Sequence, residues 1–248
     1  MRARSAAVLL ALDNRLDRIL MWWLLVAGAA SIARISLTPH RLPVAEFSTF
    51  ASYALLVVAP FASTLLALHW FKNADSQPQP AVRLARVGRW TSLSPADPKR
   101  HRLYGTSGIM VSLLVGMMLN VPVRAAEYFA AMAPMPRVAP EWLSVLHFAM
   151  TFDAVVFSSL YMIAFVAALR RVPSFPRLLL AIWLGDLAMQ LVTAQLVAGT
   201  HVPATVAGAL EALLTGNVKK VLISMALWLP YLLLSTRVNV TYRHRVPA

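Results

Sequence analysis

Asp153, Asp186, Gln190 and Thr193 are the residues best placed to do chemistry, because each lies inside a long apolar stretch. A carboxylate at the centre of a membrane-spanning helix costs about 2.5–3.5 kcal/mol on insertion scales, so it turns inward, pairs or takes up a proton. Asp186, Gln190 and Thr193 follow one another at steps of four and three residues, which sets them on one helical face. Such a face can line a hydrated path for a proton or small polar solute. Equally, it can hydrogen-bond to neighbouring helices and do nothing more. Counted from stretch ends at 146 and 178, Asp153 lies about 10 Å below one membrane surface and Asp186 about 12 Å above the other. Across about 30 Å of hydrocarbon the two are then about 8 Å apart along the bundle axis, too far to share a proton. Gln190 comes level with Asp153 on the next, antiparallel helix, so an Asp153–Gln190 hydrogen bond is expected. Ser224 is expected at a similar depth, and Asp186 level with Thr64 and Ser112.

Other chemistry finds no pattern to stand on. Cysteine is absent, which removes thiolate nucleophiles, disulfides and Cys-based metal sites. The six histidines are scattered, without the i, i+3 or i, i+4 pairing of a helical metal site. There is no HExxH, GxSxG or phosphate-loop pattern. Intramembrane proteolysis would need two level Asp residues or a Ser–His pair, and neither is indicated. The expectation is a protein that is not an enzyme and holds no cofactor or metal.

The elements that must carry these residues are membrane spans. The 248 residues are 59% hydrophobic and 13% charged, and mean hydropathy is +0.64. A soluble domain of this size could not bury so much apolar surface. Spans are expected at 19–37, 48–71, 104–122, 146–169, 178–199 and 217–236, each close to the roughly 20 residues a helix needs to cross hydrocarbon. Aromatic residues support these limits as headgroup anchors: Trp22 and Trp23, Trp70, Tyr104, Trp142, then Trp228 and Tyr231 around Pro230. The start, Met1 to Leu12, lacks a cleavage site and is interrupted by Asp13, Arg15, Asp17 and Arg18. It reads as an amphipathic lead-in at the membrane surface, not a secretory signal.

Orientation follows from the basic residues. All but Arg34, Arg41, Arg124, Arg137, Lys219 and Lys220 of the 23 Lys and Arg fall on the side that holds both termini, so that side is expected to be cytoplasmic. The net charge of +13 is thus topology information, and a nucleic-acid partner is not expected. Residues 1–71 read as a tail and two-helix unit, 72–103 as a basic cytoplasmic linker, and 104–248 as a four-helix unit. In the linker, Arg83, Arg86, Arg89, Lys99, Arg100 and Arg102 are candidates for anionic-lipid contact. Arg83, Arg86, Val87 and Trp90 could form one turn of interfacial helix; a solvated loop is the plainer reading. The Arg170–Arg177 connection is short enough to make the fourth and fifth spans an antiparallel hairpin.

Gly108, Ser112 and Gly116 form a small-residue stripe at four-residue spacing, as do Gly208, Ala212 and Gly216. Such stripes let helix backbones approach, within one chain or against a partner. Arg34 is expected to snorkel to the headgroups. Arg124 and Glu127 are spaced for a helix-surface ion pair, and Lys219 and Lys220 for lipid phosphate.

Three passages carry a resemblance. They are Gly105 to Met118 (GTSGIMVSLLVGMM) running on to Arg124 and Tyr128-Phe129, Phe165 to Leu180 (FVAALRRVPSFPRLLL), and Trp228 to Tyr242 (WLPYLLLSTRVNVTY). From Tyr104 to Tyr242 their order resembles the bacterial membrane family called domain of unknown function 2569, with two further spans preceding the matching region. The resemblance implies a multi-pass protein of the bacterial inner membrane. That family has no established activity, so no catalytic residues are carried over.

The combined expectation is an all-α bundle of six transmembrane helices, both termini cytoplasmic, surrounded by lipid that includes anionic headgroups. It would act as an accessory or interaction subunit, against another membrane protein or a second copy of itself. The alternative is a small secondary transporter, or a proton or solute pathway, using Asp153, Asp186, Gln190, Thr193 and Ser224.

Overall fold

A computed structural model describes residues 2–38, 46–74, 77–82, 84, 88–94 and 97–248, without the side chains of residues 2–6 and 46. Along the chain these form α1 (Arg2–Leu37), α2 (Glu46–Trp70), β1 (Trp90–Ser92), a 3-10 turn (Pro98–Arg100), α3 (Met110–Ala131), α4 (Glu141–Leu169), α5 (Phe175–Ala198), α6 (Ala204–Leu234), α7 (Thr236–Arg243) and β2 (Arg245–Pro247). The fold is all-α, and α1 to α6 are each long and apolar enough to cross a membrane.

α4 is the central helix. It packs against α2, α3 and α5 and buries Phe157, Tyr161 and Phe165 among them. α1 turns one stripe inward, Leu12, Leu16, Leu20 and Ala27, at multiples of about one or two helical turns. Its outer faces carry exposed Met21, Leu25, Val26 and Ile32, as suits a helix whose solvent is lipid. α6 is the most peripheral helix toward its start. Apolar grooves of about 370 Å³ and 470 Å³ separate its first half from α3 and α4 on one side and from α5 on the other.

Four segments meet at one end of the bundle. Asp13 of α1 pairs with Arg170 in the α4–α5 connection at 3.6 Å. The buried Tyr242 of α7 donates its hydroxyl to the Ala168 carbonyl at 2.9 Å. β1, in the α2–α3 connection, lies antiparallel to β2, with Thr91 opposite Val246. An even number of crossings accounts for both chain ends arriving there.

Gly105 to Ser107, the α4–α5 connection and the segment from Arg237 to Tyr242 come together at this same end. Arg237 donates to Ser107 Oγ at 2.7 Å and to the Gly105 carbonyl at 3.3 Å, while the Gly105 amide donates to Thr241 Oγ1 at 3.0 Å. Phe175 packs on Tyr242 with ring centroids 5.0 Å apart. Asn239, fully buried, is the hub: its amide donates to the Leu233 and Ser235 carbonyls, and its Oδ1 accepts from Arg243 and Arg245. Burial, and Arg245 alongside, bring the Arg243 guanidinium down to about 10, and burial raises the Tyr242 phenol well above its ordinary range.

Several boundaries differ from the sequence expectation. The third span runs over Met110–Ala131, not 104–122. Gly105 and Gly108 have φ of 101° and 77°, which keeps the preceding backbone in turns. Tyr104 therefore does not open the span; its ring faces the Arg171 guanidinium at 5.4 Å. The helix then continues through Pro122 past Arg124, which is paired inside the bundle, and Glu127, which is paired with Lys220 nearer the surface. α6 begins at Ala204, not 217, because 204–216 is rich in Ala and Leu and contains no proline. Lys219 and Lys220 thus sit well inside a helix. α1 is continuous from Arg2, with no separate surface lead-in, since no Pro or Gly interrupts it before Gly28. Trp22 and Trp23 lie mid-helix as a result, and Trp23 ties α1 to α2 by donating to the Val57 carbonyl at 2.9 Å.

Candidate functional site

The centre of the bundle is an ion network built from four helices. Arg124 of α3 reaches Asp153 of α4 through Nη1 and Asp186 of α5 through Nη2, the latter at 2.7 Å. Asp153 and Asp186 are 5% and 0% exposed, so the guanidinium is what makes two carboxylates tolerable at this depth. Its flat face lies over the Phe157 ring at 5.4 Å. Tyr161 donates its hydroxyl to Asp186 Oδ2 at 3.3 Å. Gln190 completes the shell from one turn along α5, its Nε2 donating to Asp153 Oδ1 at 3.0 Å and to Asp186 Oδ1 at 3.4 Å.

A chain of amides leads outward from there. Gln190 Oε1 accepts from Asn217 Nδ2 at 3.3 Å, and Asn217 Oδ1 accepts from Lys220 Nζ at 3.2 Å. Lys220 is also the ion-pair partner of Glu127, which joins α6 to α3. A small cavity of about 50 Å³ opens beside this chain, lined by Asn120, Arg124, Glu127, Tyr161, Asn217 and Lys220 among others. By the same measure one water needs roughly 10–15 Å³, so a few waters fit. Asn120 Oδ1 is buried there without a hydrogen-bond partner, a free acceptor.

A second polar group lies a turn further along α3. Tyr128 meets Thr151 Oγ1 at 2.9 Å and His147 Nε2 at 3.3 Å, with Tyr53 of α2 edge-on to its ring at 5.9 Å.

The sequence-derived candidates divide. Asp153, Asp186 and Gln190 come together, and the Asp153–Gln190 hydrogen bond is present. Thr193 is buried on the same α5 face. The expected axial gap between the carboxylates is absent. Asp153 lies twelve residues from the start of α4 and Asp186 twelve from the end of α5, about 18 Å each, so on these antiparallel helices they are level. The gap arose from span ends set five residues too late on α4 and three too late on α5. Ser224 lines the small cavity, but its hydroxyl donates to the Lys220 carbonyl and does not reach the carboxylates. Thr64 likewise donates to the Pro60 carbonyl of its own helix, and Ser112 is exposed.

Other assignments are corrected. Arg124 and Glu127 do not pair with each other; each has a partner on another helix. Lys220 pairs with Glu127 of α3. The Gly108–Ser112–Gly116 stripe is not one packed face: Gly108 precedes α3 and lies against the Arg237 side chain of α7, whereas Ser112 and Gly116 are exposed and a Cβ at Gly116 would meet nothing within 4 Å. Arg34, in the last turn of α1, donates to Thr38 Oγ1 just past the helix at 3.3 Å. Trp90 is part of β1, under the Arg245 guanidinium at 5.1 Å, and not of an interfacial helical turn. Arg83, Arg86 and Val87 lie outside the described residues. Arg89, Lys99, Arg100 and Arg102 are exposed at the end of the bundle that carries α7 and β2.

Sequence reasoning missed Arg124, Tyr161, Asn217 and the Lys220–Glu127 pair as parts of one site. Two mid-membrane acids with no basic partner assigned were the available signal. Among the described residues no group of three or more His, Asp or Glu is placed to hold a metal. No family model, curated protein or solved structure matches this chain.

Proposed function

We propose that this chain is a small multi-pass transport or permeation protein of a bacterial inner membrane, with both termini cytoplasmic. Its working part is the Arg124–Asp153–Asp186 centre, through which a proton or a small polar solute passes. The observation that carries this reading is the continuity of the centre with the polar cavity. Arg124 and Tyr161 touch the carboxylates on one side and line that cavity on the other. A purely structural ion pair needs no such opening. With both acids ionised and Arg124 charged, the centre carries one negative charge, and Lys220 and Glu127 cancel each other. One added proton or monovalent cation neutralises it, so the site favours cationic over anionic cargo. The charge distribution along the chain and the resemblance to domain of unknown function 2569 support the location and orientation.

The test is thermal unfolding of the purified protein against a panel of small cations, amines and neutral polar solutes. One class should stabilise it, by about 2.7 kcal/mol at a hundred times its Kd, and the effect should vanish in Asp153→Asn and Asp186→Asn. Lower abundance of these variants, with no solute response in the parent, removes the pathway reading.

A second reading, an interaction subunit, is favoured by α6. Added Cβ atoms at Gly208 and Gly216 would meet nothing within 4 Å, beside the two open grooves. A partner seated there should be lost from gentle detergent extracts on Gly208→Leu or Gly216→Leu while the protein itself stays intact.

A further inference from the structure

The hydrogen bonds between the buried carboxylates and Lys220 all run in one direction, and both ends dictate it. A carboxylate only accepts, so Gln190 must turn its amide nitrogen toward Asp153 and Asp186. Its oxygen then faces Asn217, which must donate, leaving Asn217 Oδ1 toward Lys220. An ammonium only donates, so this last link agrees with the first. The relay joins α4 and α5 to α6, and it ends on the residue that clasps α6 to α3 through Glu127.

Resting on the transport reading, we propose that the coupling species is one proton, and that its uptake by the Asp153–Asp186 pair reverses the Gln190–Asn217 relay and loosens α6 at the Lys220–Glu127 clasp. A hydronium in the cavity supplies the proton and leaves a water behind; the proton passes Arg124 and Tyr161, which line the cavity and touch the pair, and forms an O–H bond on a carboxylate oxygen facing Gln190. Both Oδ2 atoms are engaged by Arg124, so Asp153 Oδ1 or Asp186 Oδ1 takes the proton. The new O–H must donate, so Gln190 presents its oxygen inward and its nitrogen outward. Asn217 then turns its oxygen to Gln190 and its nitrogen to Lys220. Donor meets donor, and Lys220 loses one of its two acceptors. The grooves on both sides of the first half of α6 give the helix room to shift.

The groups that set the charge around the pair are known by element. α3 supplies Arg124 in direct contact and Glu127 and Tyr128 a turn outward. α4 supplies Tyr161 in contact and His147 nearer the outer end. α6 supplies Lys220 through Asn217, α2 supplies Tyr53 beside Tyr128, and α1 has Arg34 toward its outer end.

The absence of native cysteine makes a direct test practical. Spin labels on Ala126→Cys in α3 and Leu222→Cys in α6, both exposed sites, report the separation of the two helices in lipid nanodiscs. Infrared difference spectra follow carboxyl protonation in the same samples. Acidification should produce a protonated-carboxyl band and a shift to longer separations with the same midpoint. In Asn217→Leu the band should remain and the shift should be lost. In the double variant Asp153→Asn with Asp186→Asn both should be lost. A separation that stays fixed while the carboxyl protonates, or a shift that survives in Asn217→Leu, overturns the inference. Neither result touches solute-dependent stabilisation, whose absence would instead remove the transport reading.

Discussion

Replacing Arg124 with methionine keeps the side chain long and apolar but removes the one cation shared by Asp153 and Asp186. Two charge-assisted contacts are lost at once, one to each carboxylate. Each is worth about 1.5–3 kcal/mol, giving about 3–6 kcal/mol if they add. Breaking a buried pair by removing one partner costs about 3–5 kcal/mol by a separate route, because the remaining charge is left uncompensated. Gln190 and Tyr161 still donate to the carboxylates, which keeps the expected loss near the lower end, about 3–4 kcal/mol. The assay is equilibrium unfolding in mixed micelles, read against the parent. The same reasoning predicts a rescue: Arg124→Met combined with Asp153→Asn and Asp186→Asn leaves no unpaired charge and should return to within about 1–2 kcal/mol of the parent. A single variant that loses less than about 1 kcal/mol, or a triple variant no better than the single, would refute the view that mutual charge compensation holds the centre together.

Two further outcomes follow from the other end of the molecule. Tyr242→Phe removes the hydroxyl bonded to the Ala168 carbonyl and should cost about 1–2 kcal/mol near neutral pH. The raised Tyr242 phenol adds a sign: its stabilisation is complete below the unfolded value of about 10 and is lost as pH climbs through the higher folded value. Thermal scans into the alkaline range should therefore bring parent and variant together, and a gap that widens with pH contradicts the assignment. Reporter fusions after residue 100 should read as cytoplasmic and those after residue 137 as external, since the 3-10 turn and the α3–α4 connection lie at opposite ends of α3. The reverse pattern would invert the proposed orientation while leaving the spans intact.

Much of the fold was legible because hydropathy and helical length act locally. Six apolar stretches become six long helices, and the short Arg170–Arg177 connection does fold α4 back onto α5. The ends were less legible, for a physical reason. In a sequence alone a charge signals water, so Arg124, Glu127 and Lys220 read as span limits. In the bundle each charge has a partner, which lets the helix run on past it. The site shows the same division. Antiparallel packing of α4 and α5 foretold the Asp153–Gln190 bond, although Gln190 stands one turn along from Asp153 and bridges the offset with its long side chain. Arg124 lies 29 and 62 residues from the acids it bridges, and no local pattern connects them. The hub at Asn239 was invisible for another reason. Asn, Thr and Arg in a polar tail resemble a solvated end until the tail folds under α6 and buries them.

The central claim is that the buried carboxylates communicate with water and carry cargo. Reconstitution into sealed vesicles holding a trapped pH indicator tests it directly. Under an imposed pH gradient with membrane potential clamped, the parent should dissipate the gradient faster than empty vesicles, alone or when the stabilising solute is added. Asp153→Asn with Asp186→Asn should not. Equal dissipation by the parent, the double variant and protein-free vesicles, with and without that solute, would contradict the account.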